Sequence, residues 1–182
     1  MDDRDEVLEL LAEGNVEDAV LEHVDLTGTK LGPLELVGVT VRDTDLSNSS
    51  LQQLVARRVT FQTCRAIGLR LSVDHAQDLS FVDSRLDYAT MHIEKVRGAM
   101  TFTGCTFKEA TIAGDLSKVS FQDCDFVDTE FRARSAVGCD LRSSRVTSAR
   151  GLLTLRGAKI TADQAVSVSM LIAAEAGLVI ED

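Results

Sequence analysis

The chain has no tryptophan, one tyrosine and one proline, and aromatic residues make up only 4% of its 182 positions. A core built around a few large indole or phenol rings is therefore excluded, and the 45% apolar content must be supplied by many medium and small side chains. No run of 18 apolar residues occurs, so no membrane-spanning helix is predicted. The acidic opening MDDRDEVLEL lacks the positive charge of a signal peptide, and a cytoplasmic protein without membrane association is the expectation. Cys64, Cys105, Cys124 and Cys139 show no CxxC spacing and no nearby histidine, which argues against zinc and for small buried hydrophobes in a reducing compartment. His23, His75 and His92 are scattered and read as surface side chains. P-loop, GxGxxG, HExxH and GxSxG signatures are all missing, so the chain is expected to be no enzyme, with no cofactor and no metal.

Basic charge is also scarce at one end. The net charge of −10 arises in residues 1–50, which hold 13 acids and 3 bases. Residues 51–100 carry 5 acids and 7 bases, and residues 101–150 carry 7 of each, so the middle of the chain is nearly neutral. A basic partner surface would be sought by the N-terminal end.

What the chain does have is repetition. VTVRDT (39–44), VTFQTC (59–64), LSFVDS (79–84), MTFTGC (100–105), VSFQDCDF (119–126) and CDLRSS (139–144) start 20, 20, 21, 19 and 20 residues apart. Inside this phrase lies a five-residue one. Stepping by five from Leu21 to Val96 meets sixteen apolar residues in succession. At this composition chance would produce that about three times in a million. The phase slips by one to Phe102, Phe107 and Ile112, returns at Leu116 and continues to Val146, with Gly98 and Gly114 beside the two slips. Two residues before each centre stands a second, usually small residue, among them Val24, Thr44, Cys64, Ser84, Cys105 and Cys124. Asp74, Glu94 and Arg134 fall in that inward register and are expected to mark local deviations, because an unpaired buried charge is costly. Period five fits neither a helix of 3.6 nor a simple strand of 2, and it excludes a heptad coiled coil. It also differs from the six-residue period of left-handed acyltransferase helices.

With TDLSN (44–48), CDFVD (124–128) and CDLRS (139–143) as its best units, the pattern resembles the pentapeptide-repeat family over about residues 19–160. The resemblance implies an all-β solenoid, a right-handed quadrilateral parallel β-helix of about seven coils, with four units to a coil. Every fourth centre should then stack. One face would read Leu21, Val41, Phe61, Phe81, Phe102, Phe121, Leu141 and Ile160, and the next Leu26, Leu46, Ala66, Leu86, Phe107, Phe126 and Val146. Residues 1–18 are expected to form an acidic helical cap with Val7, Leu8, Leu10 and Leu11 on the first coil, and Asn15 would cap a further helical turn. Residues 161–182 form the third segment: Thr161 and Gln164 make a capping box for a helix over 162–176 that Gly177 closes.

The apolar arc of that C-terminal helix is broader than one contact needs, so Val166, Val168, Met170 and Ile172 are candidate residues for homodimerisation. This end is also similar to the C-terminal ends of actinobacterial pentapeptide-repeat proteins, fluoroquinolone-resistance members among them. That similarity implies a DNA-mimicking modulator of DNA gyrase or a related type II topoisomerase, binding protein and no nucleic acid directly. The candidate partner-binding residues are the column Asp43, Asp83 and Asp123, with Asp45, Asp125, Asp128 and Glu130 nearby. Arg57, Arg58, Arg65, Arg70 and Arg85 interrupt a DNA-like field, and an interaction scaffold with another protein partner is the alternative.

Overall fold

The computed structural model describes residues 3–179. They wind into a β-solenoid of about seven turns with a helix at each end. All strand pairings among the described residues are parallel and form one continuous sheet, in which the strands of each coil pair with those of the coils before and after it. The expected columns are the observed ones. Leu21 pairs with Val41, Val41 with Phe61, Phe61 with Phe81, Phe81 with Phe102 and Phe102 with Phe121.

The five-residue unit has a conformational cause. Its central residue points inward and its two neighbours point outward, as in any strand. The residue two places after the centre then takes a left-handed conformation that turns the chain onto the next face. All thirteen non-glycine residues with positive φ among the described residues occupy this one position, from Asp18 to Asp128. Aspartate and asparagine tolerate that conformation better than other L-residues, which explains much of their recurrence.

Two phenylalanine ladders fill the coil. Phe61, Phe81, Phe102 and Phe121 stack with centroids 4.7, 5.1 and 5.0 Å apart, and Phe107 stacks on Phe126 at 5.1 Å. Between the ladders the rings meet edge to face, with Phe102–Phe107 at 75° and Phe107–Phe121 at 82°. Neighbouring faces thus stand near a right angle, and rings from the two faces interlock in the favoured T-shaped geometry. The smaller residue two places before each centre packs beneath the corner and satisfies backbone there. Ser49 Oγ donates to the Leu26 carbonyl at 2.7 Å, Ser144 Oγ to Phe121 at 3.0 Å, and the Cys124 thiol to Phe102 at 3.4 Å. Hydroxyl and thiol are interchangeable in this column because each supplies one donor in a small volume.

The helix α1 (Arg4–Ala12) starts at Asp3, whose carboxylate accepts the N–H groups of Asp5 and Glu6 at 3.0 Å each. It buries Val7 and Leu11 on the first coil, with Leu8 and Leu10 partly covered. No second helical turn follows. Residues Asn15–Glu17 form a strand paired with Glu35–Val37, so the solenoid begins at 15 rather than 19. A lone turn could not compete with a sheet edge that offers hydrogen bonds and buries Val16.

Asp74, Glu94 and Arg134 are not inward. A register shift beside Leu54 places Val73 opposite it, and Val73 and Ile93 are fully buried in place of the charged residues. Arg134 reaches two coils to Glu94, its guanidinium 3.2 Å from the carboxylate and 2.9 Å from the carbonyl. Gly114 lies between them in sequence register with φ 101°, and a Cβ there would stand 2.0 Å from the Ile93 carbonyl oxygen. The second phase slip is thus built on a glycine that no other residue can replace without backbone movement. The first slip is an insertion between Val96 and Met100, where Leu79 pairs with Met100, and Gly98 takes no left-handed φ there. His23 and His92 are exposed, whereas His75 is half-buried and its Nδ1 has no hydrogen-bond partner. Ile160 is not a buried rung: it remains 42% exposed because the last coil is incomplete.

Candidate protein-binding surface

Asp43, Asp83 and Asp123 share one corner column, in which Thr63 and Gly104 separate them. Acid therefore appears in every second coil, about 10 Å apart at the usual strand spacing. A single DNA strand carries a phosphate about every 3.4 Å, roughly three times that density. Each of the three aspartates has φ near 50°, so corner geometry accounts for the residue type before any partner does.

The carboxylates differ in how far they are neutralised. Asp43 lies 3.7 Å from the His23 imidazole and accepts the Thr63 hydroxyl. Among the described residues Asp83 and Asp123 make no ion pair. Asp45 is 3.8 Å from Arg65, and Asp125 takes a two-pronged bond from Arg145 at 3.0 and 2.7 Å. Glu130 is held the same way by Arg132 at 2.9 and 3.1 Å, and Arg132 keeps its carboxyl below the ordinary glutamate range. Asp128 accepts the Ser148 hydroxyl at 2.6 Å. Of the seven expected acids, Asp45, Asp125 and Glu130 are thus spent largely on arginine neighbours. Arg65 and Arg145 follow their aspartates by 20 residues, one coil above, which is a spacing the sequence displays openly. The same logic adds Arg42 on Glu22 at 2.9 Å and Arg57 on Glu35 at 3.2 Å. Inside the wall, Asp87 is buried, which by itself would push its carboxyl up; the Lys108 N–H at 3.0 Å and Arg85 at 3.1 Å hold it below the usual range.

Acid outnumbers base most strongly at the N-terminal end. Among the described residues, Glu9 and Glu13 on and after α1, and Glu17 and Asp18 at the first corner, form no ion pair. No basic residue lies in the last turn of α1 to offset them.

At the other end, α2 (Ala162–Glu175) carries the expected capping box: Thr161 Oγ1 accepts the Gln164 N–H at 3.1 Å, and Gln164 Oε1 accepts the Thr161 N–H at 2.7 Å. Gln164 also donates its amide to the carbonyls of Leu141 and Ser144 at 2.6 Å each, and Glu175 accepts the N–H groups of Leu152 and Leu153 at 3.2 Å. These two side chains tether the helix across the last coil, a role that no local sequence motif announced. Val168 is buried on that coil and Ile172 is half-buried, so both belong to the cap and not to an outward face. Val166 and Met170 do face outward, 74% and 57% exposed, with Ala162 and Ser169 beside them. The helix thus has one apolar side on its own coil and a second that is exposed.

Burial raises the thiols of Cys64 to about 11 and Cys139 to about 12; the contact between Cys105 and Cys124 pushes the Cys105 thiol up, with burial adding to it, and holds that of Cys124 below the usual range; all four cysteines are free and buried. Their burial and the bonds of Cys64, Cys105 and Cys124 to backbone carbonyls make them packing residues of the inner column. Among the described residues no group of three or more His, Cys, Asp or Glu side chains could hold a metal ion, and no helix is long and apolar enough to cross a membrane.

Fold and surface together define a square parallel β-solenoid built from five-residue units, with one acidic end and one apolar helical end. Among solved structures it is similar to a trypsin-treated form of QnrB1, a plasmid-mediated fluoroquinolone resistance protein, with 13% identity over 94% of this chain and 93% of that one and a TM-score of 0.43. HetL, a pentapeptide repeat protein involved in heterocyst differentiation regulation in the cyanobacterium Nostoc sp. strain PCC 7120, matches with 12% identity over 88% and 91% and a TM-score of 0.33. No family model and no curated protein matches the chain in sequence. The likeness is one of fold alone, and the solenoid assignment rests on this chain's own strand register.

Proposed function

We propose that the chain is a non-catalytic protein-binding rod that pairs with a second copy through α2 and offers acidic surface to a basic protein partner. The observation that carries the reading is the charge distribution. In residues 51–150 twelve acids face fourteen bases and five of them, Asp87, Glu94, Asp125, Glu130 and Asp140, meet an arginine, whereas residues 1–50 hold 13 acids to 3 bases and, among the described residues, Glu9, Glu13, Glu17 and Asp18 form no ion pair. Such a surface attracts Lys and Arg by the same electrostatics that DNA uses, at lower charge density. Four reduced cysteines and the lack of a membrane-spanning helix fit a cytoplasmic setting.

DNA gyrase is the specific partner to test first. Favouring it, Asp83 and Asp123 stay free of ion pairs in one column, where a basic DNA-binding cleft could meet them. The test is a gyrase supercoiling assay with and without quinolone. Inhibition at micromolar protein that fades with added salt, together with altered drug-induced cleavage, supports the mimic. Unchanged supercoiling and cleavage eliminate gyrase and leave a scaffold for another protein.

A further inference from the structure

The inner columns lose volume at the C-terminal end. Phe121 is followed one coil on by Leu141, and Phe126 by Val146. The column of Phe131 ends in Gly151, whose bare Cα passes the Phe131 carbonyl so closely that a Cβ would stand 1.8 Å from it. Three truncated columns therefore meet under α2, and Val168 and Ile172 do not fill the space. A cavity of about 130 Å³, partly open to solvent beside the exposed Ile160, remains, lined by Phe131, Leu141, Val146, Leu152, Val168 and Ile172 among others. Gln164 is the one polar side chain on its wall, and its amide is already committed to Thr161, Leu141 and Ser144. Nothing in the wall asks for water. An engineered, enclosed protein cavity of about 150 Å³ lined by Leu, Ile and Phe stays dry and binds benzene.

We propose that this cavity is a binding site for a small, uncharged, ring-shaped apolar molecule, and that its occupant fastens α2 to the end of the solenoid. The occupant takes the place of the missing phenylalanine rung, above Phe131 and against the underside of the helix. A charged ligand is excluded, because no unpaired polar group lines the wall to receive it.

Benzene is the probe. With the full chain labelled at valine, leucine and isoleucine methyls, benzene titration should shift the methyl resonances of Val146, Val168 and Ile172 and leave those of Val39 and Val59 unmoved. At ten times its Kd benzene favours the folded form about elevenfold, a rise in Tm of about 3 to 6 °C. Val146→Phe fills the cavity and should abolish both responses; Ala158→Leu fills it from the opposite wall and serves if the first variant does not fold. Methyl resonances unmoved in benzene-saturated buffer overturn the proposal. So does a response of wild-type size in a folded filled variant.

Discussion

At the scale of single residues, one backbone position decides most of the chemistry on the surface. At most corners the residue two places after the inward centre is left-handed, and that conformation favours Asp, Asn and Gly before function has any say. The acidic column Asp43, Asp83 and Asp123 is thus a by-product of turning corners, available for recognition but not created by it. Separating the two roles is straightforward. Asp123→Asn keeps a side chain that tolerates φ near 50° and should leave stability within about 0.5 kcal/mol while removing the charge. Asp123→Val should cost about 1–2 kcal/mol, because a β-branched residue resists that conformation. Urea unfolding measures both, and equal losses for Asn and Val would refute the conformational account.

At the scale of elements, each coil is held by its neighbours and the two end coils need covers. α1 covers the first with Val7 and Leu11; α2 covers the last with Val168 and with Gln164, which caps the carbonyls of Leu141 and Ser144. Those carbonyls point along the solenoid axis, where the next coil would have supplied N–H donors. Gln164→Ala leaves them unmet and also dismantles the capping box, at a cost of about 1–3 kcal/mol. The loss should be local: hydrogen exchange of the α2 amides should accelerate while that of the strands Ser50–Gln62 and Arg70–Val82 stays unchanged. Uniform acceleration throughout would mean that the solenoid unfolds as a single unit.

At the scale of the whole molecule, the two ends are chemically unlike. One is acidic and the other presents Val166 and Met170 on a helix whose inner side is already occupied. A twofold contact through the apolar end would bury those side chains and leave both acidic ends outermost. Sedimentation of the 19.7 kDa chain should therefore give a dimer mass, and Met170→Glu should convert it to monomer, because the contact would bury an unpaired carboxylate. A monomeric wild type, or a dimer that survives the substitution, would rule out this contact.

The sequence by itself determined the solenoid, because a five-residue alternation of inward and outward side chains is a local property repeated many times. The Phe61–Phe121 ladder, the capping box at Thr161 and the two phase slips could all be read from spacing. Only the tertiary structure decided that Asn15–Glu17 joins the sheet, that Val73 and Ile93 replace Asp74 and Glu94 inside, and that Val168 faces the coil rather than a partner. Each depended on what the neighbouring coil offered: an unfilled sheet edge, a bulge beside Leu54, an open end. The charge pattern divides in the same way. Counting acids located the excess at the N-terminal end, but which carboxylates meet an arginine depends on partners two residues away in the same coil or one or two coils on, and stacking brings the latter within reach.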